Sequence, residues 1–251
     1  MPGEERTYRR WLSSDLRSFQ VSVGESDLLI SAERPLCSKA ERALRLVRSE
    51  LESYLRRDPE FARALRPREV LPEAPPIVVE MASAGRACGV GPMAAVAGAV
   101  AQEVGRALLS ETRQVLVENG GDIFVHTVVP RTAAIFAGAS PLSGRLGLRL
   151  SRVNNSFGLC TSSGTVGPSL SFGRADAVVI VAVSAVLADA AATSVANRIK
   201  APSEVSAALE YAGTIPGVLG ALAIVGEHLG AWGQIELVEI DRIADGREGA
   251  R

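Results

Sequence analysis

The stretch Ala177–Asn197 reads AVVIVAVSAVLADAAATSVAN and carries the strongest information on the fold. Its first part, Ala177–Val183, is a continuous apolar run rich in valine, which is typical of a buried β-strand. The alanine-rich part predicts a helix over residues 184–199, with Asp189 and Thr193 four residues apart and therefore on one face. A buried strand followed at once by a buried helix indicates layers in which helices cover a sheet.

Outward from this stretch, strands and helices recur in a similar order in both halves of the chain. Strand pairs flank helices each time, which predicts an α+β fold with antiparallel sheets covered by helices, not alternating parallel βαβ units. The other predicted strands are Ser18–Val23, Leu28–Ala32, Ile77–Met81, Gln114–Glu118, Ile123–Val129, Thr132–Ala137, Arg145–Leu150, Phe157–Thr161, Ala221–Val225 and Ile235–Ile240. The other predicted helices are Leu36–Leu55, Met93–Ser110 and a segment from Pro202 to about Ala212.

Length and composition favour a single folded domain built from two related lobes. The chain has 251 residues, 47% of them hydrophobic, and a net charge of −1, which together exclude a disordered protein. A chain of this length buries enough surface to fold without a disulfide or a metal. The repeated order of elements predicts lobes over roughly 15–130 and 131–241, followed by a flexible tail over 242–251.

Charge, aromatic content and cysteine usage exclude several classes of protein. Aromatic residues make up 4% of the chain and the charges nearly cancel, so a nucleic-acid surface is not expected. The 3 cysteines form no CxxC pair, which is typical of a reducing compartment. No apolar signal segment opens the sequence, and the longest apolar run is about half a bilayer span. We therefore expect a cytoplasmic protein without membrane contact, whose sheet edges are compatible with a homodimer.

A glycine-rich motif, ENGGD at residues 118–122, separates two predicted strands. One interpretation is a hairpin turn, because Asn-Gly is the strongest short hairpin signal. The other is that the paired glycines let a ligand approach bare backbone. The residues that would then border the ligand are Asn119, Gly120, Gly121 and Asp122.

A hydroxyl-rich motif, GLCTSSGTVG at residues 158–167, follows a predicted strand. Backbone N–H groups and hydroxyls in such a segment can form a nest for phosphate oxygens, and the alternative is a flexible surface loop. Cys160 lies within it, without an assignable base, and is expected to be a small buried thiol.

The third motif, ADAAAT at residues 188–193, carries Asp189 and Thr193. A carboxylate and a hydroxyl on one helical face suit a hard cation such as Mg²⁺, which takes few protein ligands together with substrate phosphates. The structural alternative is an aspartate that offsets the dipole of its own helix and a threonine bonded back to the helix. The surrounding alanines favour either a close ligand or close helix packing.

Together and in this order, ENGGDI, GLCTSSGTVG and ADAAATSVAN resemble the ApbE-like superfamily, whose founding members are FAD:protein FMN transferases. More closely, the chain resembles a smaller, functionally uncharacterised branch of that superfamily. The phrases GPMAAVAGAVA and SLSFGRADAVV add to the resemblance, which covers roughly Met81–Asn197. Each motif alone is weak, whereas their joint order and spacing are fairly specific.

The resemblance implies tandem T-fold-like lobes with a cleft between them, in which flavin transferases hold FAD. It implies that Asp189 and Thr193 bind Mg²⁺ and act in catalysis, in which the FAD pyrophosphate is cleaved and FMN passes to a threonine of a target protein. The residues that it implies for cofactor binding are Asn119, Gly120, Gly121, Asp122, Thr161, Ser162, Ser163, Gly164 and Thr165.

The chain departs from the transferases after the hydroxyl-rich motif. Transferases carry an HxxDP-like segment there, whereas this chain has PSLSF at residues 168–172, with Asp176 as the nearby carboxylate. We therefore expect an ApbE-like protein that binds FAD, or a related diphosphate-containing cofactor, with Mg²⁺ in the cleft. The alternatives are an active Mg²⁺-dependent FMN transferase with a protein acceptor and a non-catalytic interaction module.

The scarcity of aromatic residues bears on the ligand. The rings near the motifs are Phe124, Phe157 and Phe172, so a flavin would have few stacking partners. Glycines and hydroxyls fit phosphate binding better than ring recognition. The sequence thus favours a Mg²⁺–diphosphate site more strongly than it favours flavin, and leaves a pterin or another heterocycle open.

Overall fold

The computed structural model describes residues 15–163 and 173–240. The strands within these ranges are β1 (Arg17–Val23), β2 (Ser26–Ala32), β3 (Val115–Asn119), β4 (Asp122–His126), β5 (Arg131–Ala134), β6 (Leu146–Leu150), β7 (Ser156–Ser162), β8 (Ala177–Ala182), β9 (Val218–Val225), β10 (His228–Gly233) and β11 (Leu237–Glu239). The helices are α1 (Cys37–Arg57), α2 (Pro59–Arg63), α3 (Pro76–Cys88), α4 (Val96–Leu108), α5 (Ala185–Ala196) and α6 (Val205–Thr214).

Eight strands form one antiparallel sheet in the order β1-β2-β3-β4-β7-β8-β9-β10. In each half of this sheet, two strands are followed in the chain by helices and then by two further strands. β4 pairs with β7, so the halves share one continuous sheet. The α+β class with antiparallel sheets covered by helices is confirmed. The lobe boundaries at residues 130 and 131 stay a prediction, and the tail over 242–251 lies outside the described residues.

The large sheet has a different cover on each of its two faces. Helices α1, α4, α5 and α6 contact its strands on one face. A three-stranded sheet in the order β11-β6-β5 packs on the other face. The alternation along β7 shows both faces, because Gly158 and Cys160 point to the helices whereas Phe157 and Leu159 point to the small sheet.

The strand predicted over Ile77–Met81 is wrong, because this segment lies inside α3. The helix begins after Pro75 with Pro76 in its first turn, where the missing N–H has no helical partner to lose. A five-residue apolar run is too short to distinguish a strand from a buried helix. The alanine-rich sequence that follows continues the helix, which ends at Gly89 with a φ of 68°.

The last two predicted strands, Ala221–Val225 and Ile235–Ile240, do not pair with each other. β9 pairs with β10, a strand that the periodicity does not predict, through a two-residue turn at Gly226 with a φ of 59°. β11 instead pairs with β6 in the small sheet. β10 reads HLGAWG and is largely exposed, so it carries no apolar alternation that would mark it as a strand.

The remaining predicted elements are confirmed, with ends that differ by a few residues. The helix predicted over Met93–Ser110 is divided into a 3-10 turn at Pro92–Ala95 and α4. The end of the hydroxyl-rich motif, residues 164–167, lies outside the described residues.

Within the described ranges, no single helix combines the length and apolar character of a membrane span. Only the pair Pro76–Cys88 and Pro92–Leu108, bent by 105°, meets those two criteria jointly.

Gly158 allows β7 to approach the start of α5. A Cβ atom at this position would lie 2.4 Å from Ala185 Cα and 2.5 Å from the Ser184 carbonyl oxygen. Both are backbone atoms, so the strand and the helix would have to separate. We expect Gly158→Ala to lower the free energy of unfolding by about 2–3 kcal/mol, measured by urea unfolding.

Gly230 on β10 provides the matched control. A Cβ atom there would lie 2.7 Å from Val205 Cγ1 and 2.8 Å from Leu209 Cδ1, which are ends of side chains that can rotate away. We expect Gly230→Ala to cost less than about 1 kcal/mol. Equal losses for the two variants would contradict the close approach at Gly158.

Candidate functional site

The ENGGD motif forms the turn between β3 and β4. Asn119 pairs with Asp122 across the hairpin, and the two residues between them have positive φ angles, 69° at Gly120 and 110° at Gly121. A two-residue turn of this kind needs positive φ at both positions, which glycine adopts without strain. The hairpin interpretation is therefore correct, and the turn leaves backbone without side chains at this edge of the sheet.

Two side chains anchor this turn. The Gly121 N–H donates to Glu118 Oε1 at 2.9 Å, and Glu118 is buried. Asn119 Nδ2 donates to the Ala97 carbonyl oxygen at 3.1 Å. The turn is thus held against the start of α4 and presents Asp122 next to it.

The hydroxyl-rich segment lies directly beside the turn. Asp122 pairs with Cys160, so the half-buried residues 161–163 at the end of β7 run alongside the glycines. A Cβ atom on Gly121 would lie 3.8 Å from the Thr161 carbonyl oxygen. The structure therefore brings together seven of the residues predicted for cofactor binding, Asn119, Gly120, Gly121, Asp122, Thr161, Ser162 and Ser163. The other two, Gly164 and Thr165, lie outside the described residues.

Asp189 lies in the middle of α5 and binds the start of another helix. The N-terminus of α5 is capped by Ser184 Oγ, which accepts from the Leu187 N–H at 3.2 Å. The Gly98 N–H, in the first turn of α4, donates to Asp189 Oδ2 at 2.8 Å. The predicted compensation of its own helix dipole is therefore wrong, because Asp189 is one turn too far along α5 and faces the α4 N-terminus instead.

Close helix packing explains the small residues around Asp189. A Cβ atom on Gly98 would lie 2.3 Å from the Ala185 carbonyl oxygen and 2.9 Å from Asp189 Cβ. All the alanines of α5 are buried. Thr193 lies one helical turn beyond Asp189 and is half-buried.

Negative groups repel each other across this site. Burial raises the pKa of Asp189 well above its usual range, and the charge of Asp122 raises it further. Hydrogen bonds from the N–H groups of Gly98 and Ala97 lower this pKa and offset part of the rise. Burial also raises the pKa of Asp122 to about 7, with a further contribution from Glu118. Among the described residues, no lysine or arginine contributes to either pKa. The two carboxyls therefore require a proton or a cation to offset their charge.

The cysteines near the site are structural. Cys160 is fully buried, and its Sγ lies 3.5 Å from the Ala185 carbonyl oxygen. Burial raises the pKa of the Cys160 thiol, and the charges of Asp122 and Asp189 raise it further. Burial raises the pKa of the Cys88 thiol to about 12. Since the thiolate is the nucleophilic form, neither side chain is suited to covalent catalysis at neutral pH.

Two buried polar residues of the site are absent from the sequence-based prediction. Glu118 holds the turn and acts on the pKa of Asp122. Gln102 is buried, with its Oε1 accepting from the Ala185 N–H at 2.9 Å and its Nε2 donating to Glu80 Oε2 at 2.7 Å. A lone glutamine within an apolar helix stretch is a signal for such a role, but its partner lies 83 positions away in the chain.

The donor set fits a hard cation only in part. The described ranges contain no group of three or more His, Cys, Asp or Glu residues that could hold a metal ion. Two carboxyls, Asp122 and Asp189, and the Thr193 hydroxyl are oxygen donors of the type that Mg²⁺ prefers. These residues match the cation by chemistry and are too few to enclose it.

Comparison with known proteins places this geometry in a family. The family model described as AbpE bacteria matches residues 9–216. The chain belongs to this family. It is 41% identical over 230 residues to a UPF0280 protein of Methanococcus maripaludis strain C5, covering 89% of this chain and 93% of the relative. It is 40% identical over 214 residues to a UPF0280 protein of Methanosarcina acetivorans, covering 84% of each.

Solved structures show the same fold for this ApbE-like protein. The flavin transferase ApbE from Vibrio cholerae superposes with a TM-score of 0.59 at 13% identity, covering 88% of this chain and 97% of that chain. The apo form of the Pseudomonas stutzeri flavinyl transferase ApbE gives a TM-score of 0.51 at 12% identity, covering 86% and 94%. The resemblance to the ApbE-like superfamily that the motifs predict is thus confirmed. At these low identities, the solved structures show that the fold is shared and nothing more.

The raised pKa of Asp122 makes the stability of this ApbE-like protein depend on pH. A carboxyl with a pKa of about 7 in the folded state, against an ordinary value of 3.8, holds its proton more tightly when folded. Its stabilising contribution is present below pH 3.8 and is lost as the pH rises through about 7. We measure the free energy of unfolding in urea with EDTA. The difference in stability between Asp122→Asn and the wild type should increase in favour of the variant as the pH rises from about 5 to about 8.

Glu41→Gln on α1 is the control, because it removes the same charge from an exposed position far from the turn. Its stability relative to the wild type should show no comparable rise over this pH range. A difference between Asp122→Asn and the wild type that stays constant with pH would contradict the raised pKa.

The contact between Asp189 and Gly98 predicts different effects for two substitutions at position 189. Asparagine keeps an oxygen for the Gly98 N–H, whereas alanine leaves that buried donor unpaired. We expect Asp189→Ala to be less stable than Asp189→Asn by about 1–3 kcal/mol, measured by urea unfolding at neutral pH. Equal stability of the two variants would show that the hydrogen bond does not hold the helices together.

Proposed function

We propose that this ApbE-like protein binds FAD, or a related diphosphate-containing nucleotide, together with Mg²⁺ around Asp122 and Asp189. The feature that carries the proposal is the pair of acidic side chains, the half-buried Asp122 and the buried Asp189, on whose pKa values no cationic side chain of the described residues acts. Ionising both carboxyls in one site is unfavourable, and a bound cation would offset that cost. The site is therefore suited to a ligand that arrives with positive charge.

The incomplete donor set favours Mg²⁺ bound with phosphate over a resident structural metal. Mg²⁺ keeps several waters and takes only one or two carboxylates, and substrate phosphates complete its coordination. Asp122, Asp189 and Thr193 would supply the protein oxygens. When bound, the cation would neutralise charge on phosphate oxygens.

The neighbouring backbone suits the phosphates of the ligand. The turn at Gly120 and Gly121 leaves no side chain over the end of β7, and the hydroxyl-bearing residues Thr161–Ser163 lie next to it. Hydroxyls and exposed N–H groups are the donors that phosphate oxygens accept from. Phe124 and Phe157 are 2% and 1% exposed, so neither is free to stack on a flavin ring. The described residues therefore support recognition of the diphosphate more strongly than recognition of the ring.

FMN transfer to a protein hydroxyl is the second candidate function, and the likeness of the fold to the flavin transferase ApbE from Vibrio cholerae favours it. In such a transfer the acceptor oxygen bonds to the phosphorus of the FMN part, the pyrophosphate bond breaks and AMP leaves. The acceptor hydroxyl must lose its proton.

Titration of FAD fluorescence with the full chain tests the proposal. We expect binding in Mg²⁺ that EDTA weakens strongly. Asp122→Asn and Asp189→Asn should each weaken FAD binding in Mg²⁺ by about tenfold or more, because each removes a charged oxygen donor without removing bulk. Glu41→Gln should bind like the wild type.

Competition separates the parts of the ligand. ADP with Mg²⁺ should displace FAD, whereas riboflavin should not. FAD binding that neither EDTA nor the two asparagine variants affect would contradict the proposal, as would a failure of both FAD and ADP to bind. AMP release from FAD by the wild type, lost in Asp122→Asn, would support the second candidate function.

A further inference from the structure

A separate cavity lies on the face of the large sheet opposite to Asp122 and Asp189. It has a volume of about 270 Å³, is partly open to solvent, and is lined by β6, β7, β8, the end of β10 and the segment that follows it. Its apolar wall is formed by side chains from both sheets, Leu148, Leu150, Phe157, Val181 and Ile235. Phe157 and Val181 belong to the core beneath the small sheet, so the floor of the cavity is formed by core side chains.

The rim of this cavity carries two arginines in different situations. Arg149 Nε lies 3.6 Å from Glu236 Oε1, and Ser151 Oγ donates to Glu236 Oε2 at 3.1 Å. Glu236 therefore offsets the charge of Arg149. Arg152, on the same rim, forms no ion pair with any described residue.

The Arg152 side chain has a buried donor that the described residues leave unsatisfied. Its Nε atom is inaccessible to solvent and has no hydrogen-bond partner among them, although the residue as a whole is half-buried. Buried N–H groups in folded proteins almost always have an acceptor, and an unsatisfied one is costly. The terminal nitrogens of the same guanidinium are not buried in this way, so they are the donors that an acid entering the cavity would reach.

We infer that this cavity binds a small organic anion, with its acidic group on Arg152 and its apolar body against Ile235, the most accessible apolar residue of the wall. A guanidinium holds carboxylate and phosphate oxygens through parallel N–H donors, so either acid matches its chemistry. The apolar wall requires a hydrocarbon or aromatic body next to the acid. The volume lies just below the range of about 300–1,000 Å³ for drug-sized ligands, so the ligand is small.

This site is independent of the flavin nucleotide site. Consecutive residues of a strand point to opposite faces, and β7 contributes Phe157 to the cavity and Cys160 to the surroundings of Asp122. The sheet itself separates the two. A cavity of this size also cannot enclose a molecule as large as FAD.

Fluorine NMR of the full chain with three matched probes tests the inference. The probes are para-trifluoromethylbenzoate, para-trifluoromethylphenyl phosphate and the neutral para-trifluoromethylbenzyl alcohol. We expect saturable binding of at least one of the two acids with one molecule per chain. The alcohol should bind about tenfold more weakly or worse, because it cannot pair with the guanidinium. The acid that binds more tightly identifies the acidic group.

Two arginine variants provide the matched comparison. Arg152→Met keeps the length and apolar stem of the side chain but removes the donors, and it should weaken binding of the acid at least about tenfold. Arg149→Met removes the same charge from the rim, where Glu236 already offsets it, and should have a much smaller effect. Thermal unfolding of both variants checks that they are folded, and FAD with Mg²⁺ should not displace the probe.

Three outcomes would overturn the inference. The first is that neither acid binds. The second is equal affinity of the acid for the wild type and Arg152→Met. The third is displacement of the probe by FAD, which would place the acid at the nucleotide site.

Discussion

The hydrogen bond from the Gly98 N–H to the Asp189 carboxyl is the contact on which the functional side of the molecule depends. It ties α4, which belongs to the first half of the chain, to α5, which belongs to the second. The contact requires glycine at position 98, since a side chain would overlap the Ala185 carbonyl group. The same approach brings Gln102 within reach of the Ala185 N–H and sets α5 over β7. The close packing of α4 against α5 therefore also fixes the position of the Asp189 carboxyl.

Opposing electrostatic forces meet at this carboxyl. The N-terminal N–H groups of α4 favour the ionised form of Asp189, whereas burial and the charge of Asp122 favour the protonated form. The hairpin turn adds to the repulsion, because Glu118 is needed to hold Gly121 in place. Packing thus positions negative charge that the described residues do not neutralise. Such an arrangement stabilises the fold less than an apolar core would, and it is suited to a ligand that carries the missing charge.

The sequence predicts most of the fold through local periodicity. Apolar alternation and helical spacing identify the first hairpin, α1 and the buried strand–helix unit around Asp189, because their patterns are long. The prediction is wrong for Ile77–Met81 and misses the exposed, glycine-containing β10. Both segments are too short or too irregular to show a clear apolar periodicity. In the site, residue spacing places Asp189 and Thr193 on one face. The partner of Asp189, Gly98, could not be predicted, because a contact across 91 positions depends on tertiary packing.

Strand β7 belongs to both faces of the large sheet, and this has a consequence for how the chain can vary. Its seven residues, Ser156–Ser162, alternate between the helical layer and the small sheet. An insertion or deletion of one residue would reverse that alternation along the strand and turn Phe157 and Cys160 each toward the wrong layer. Such a change would disrupt the packing of the helices and of the small sheet at the same time. Substitutions can therefore change the two faces of this strand separately, whereas a one-residue insertion within it disturbs both layers unless a β-bulge absorbs it.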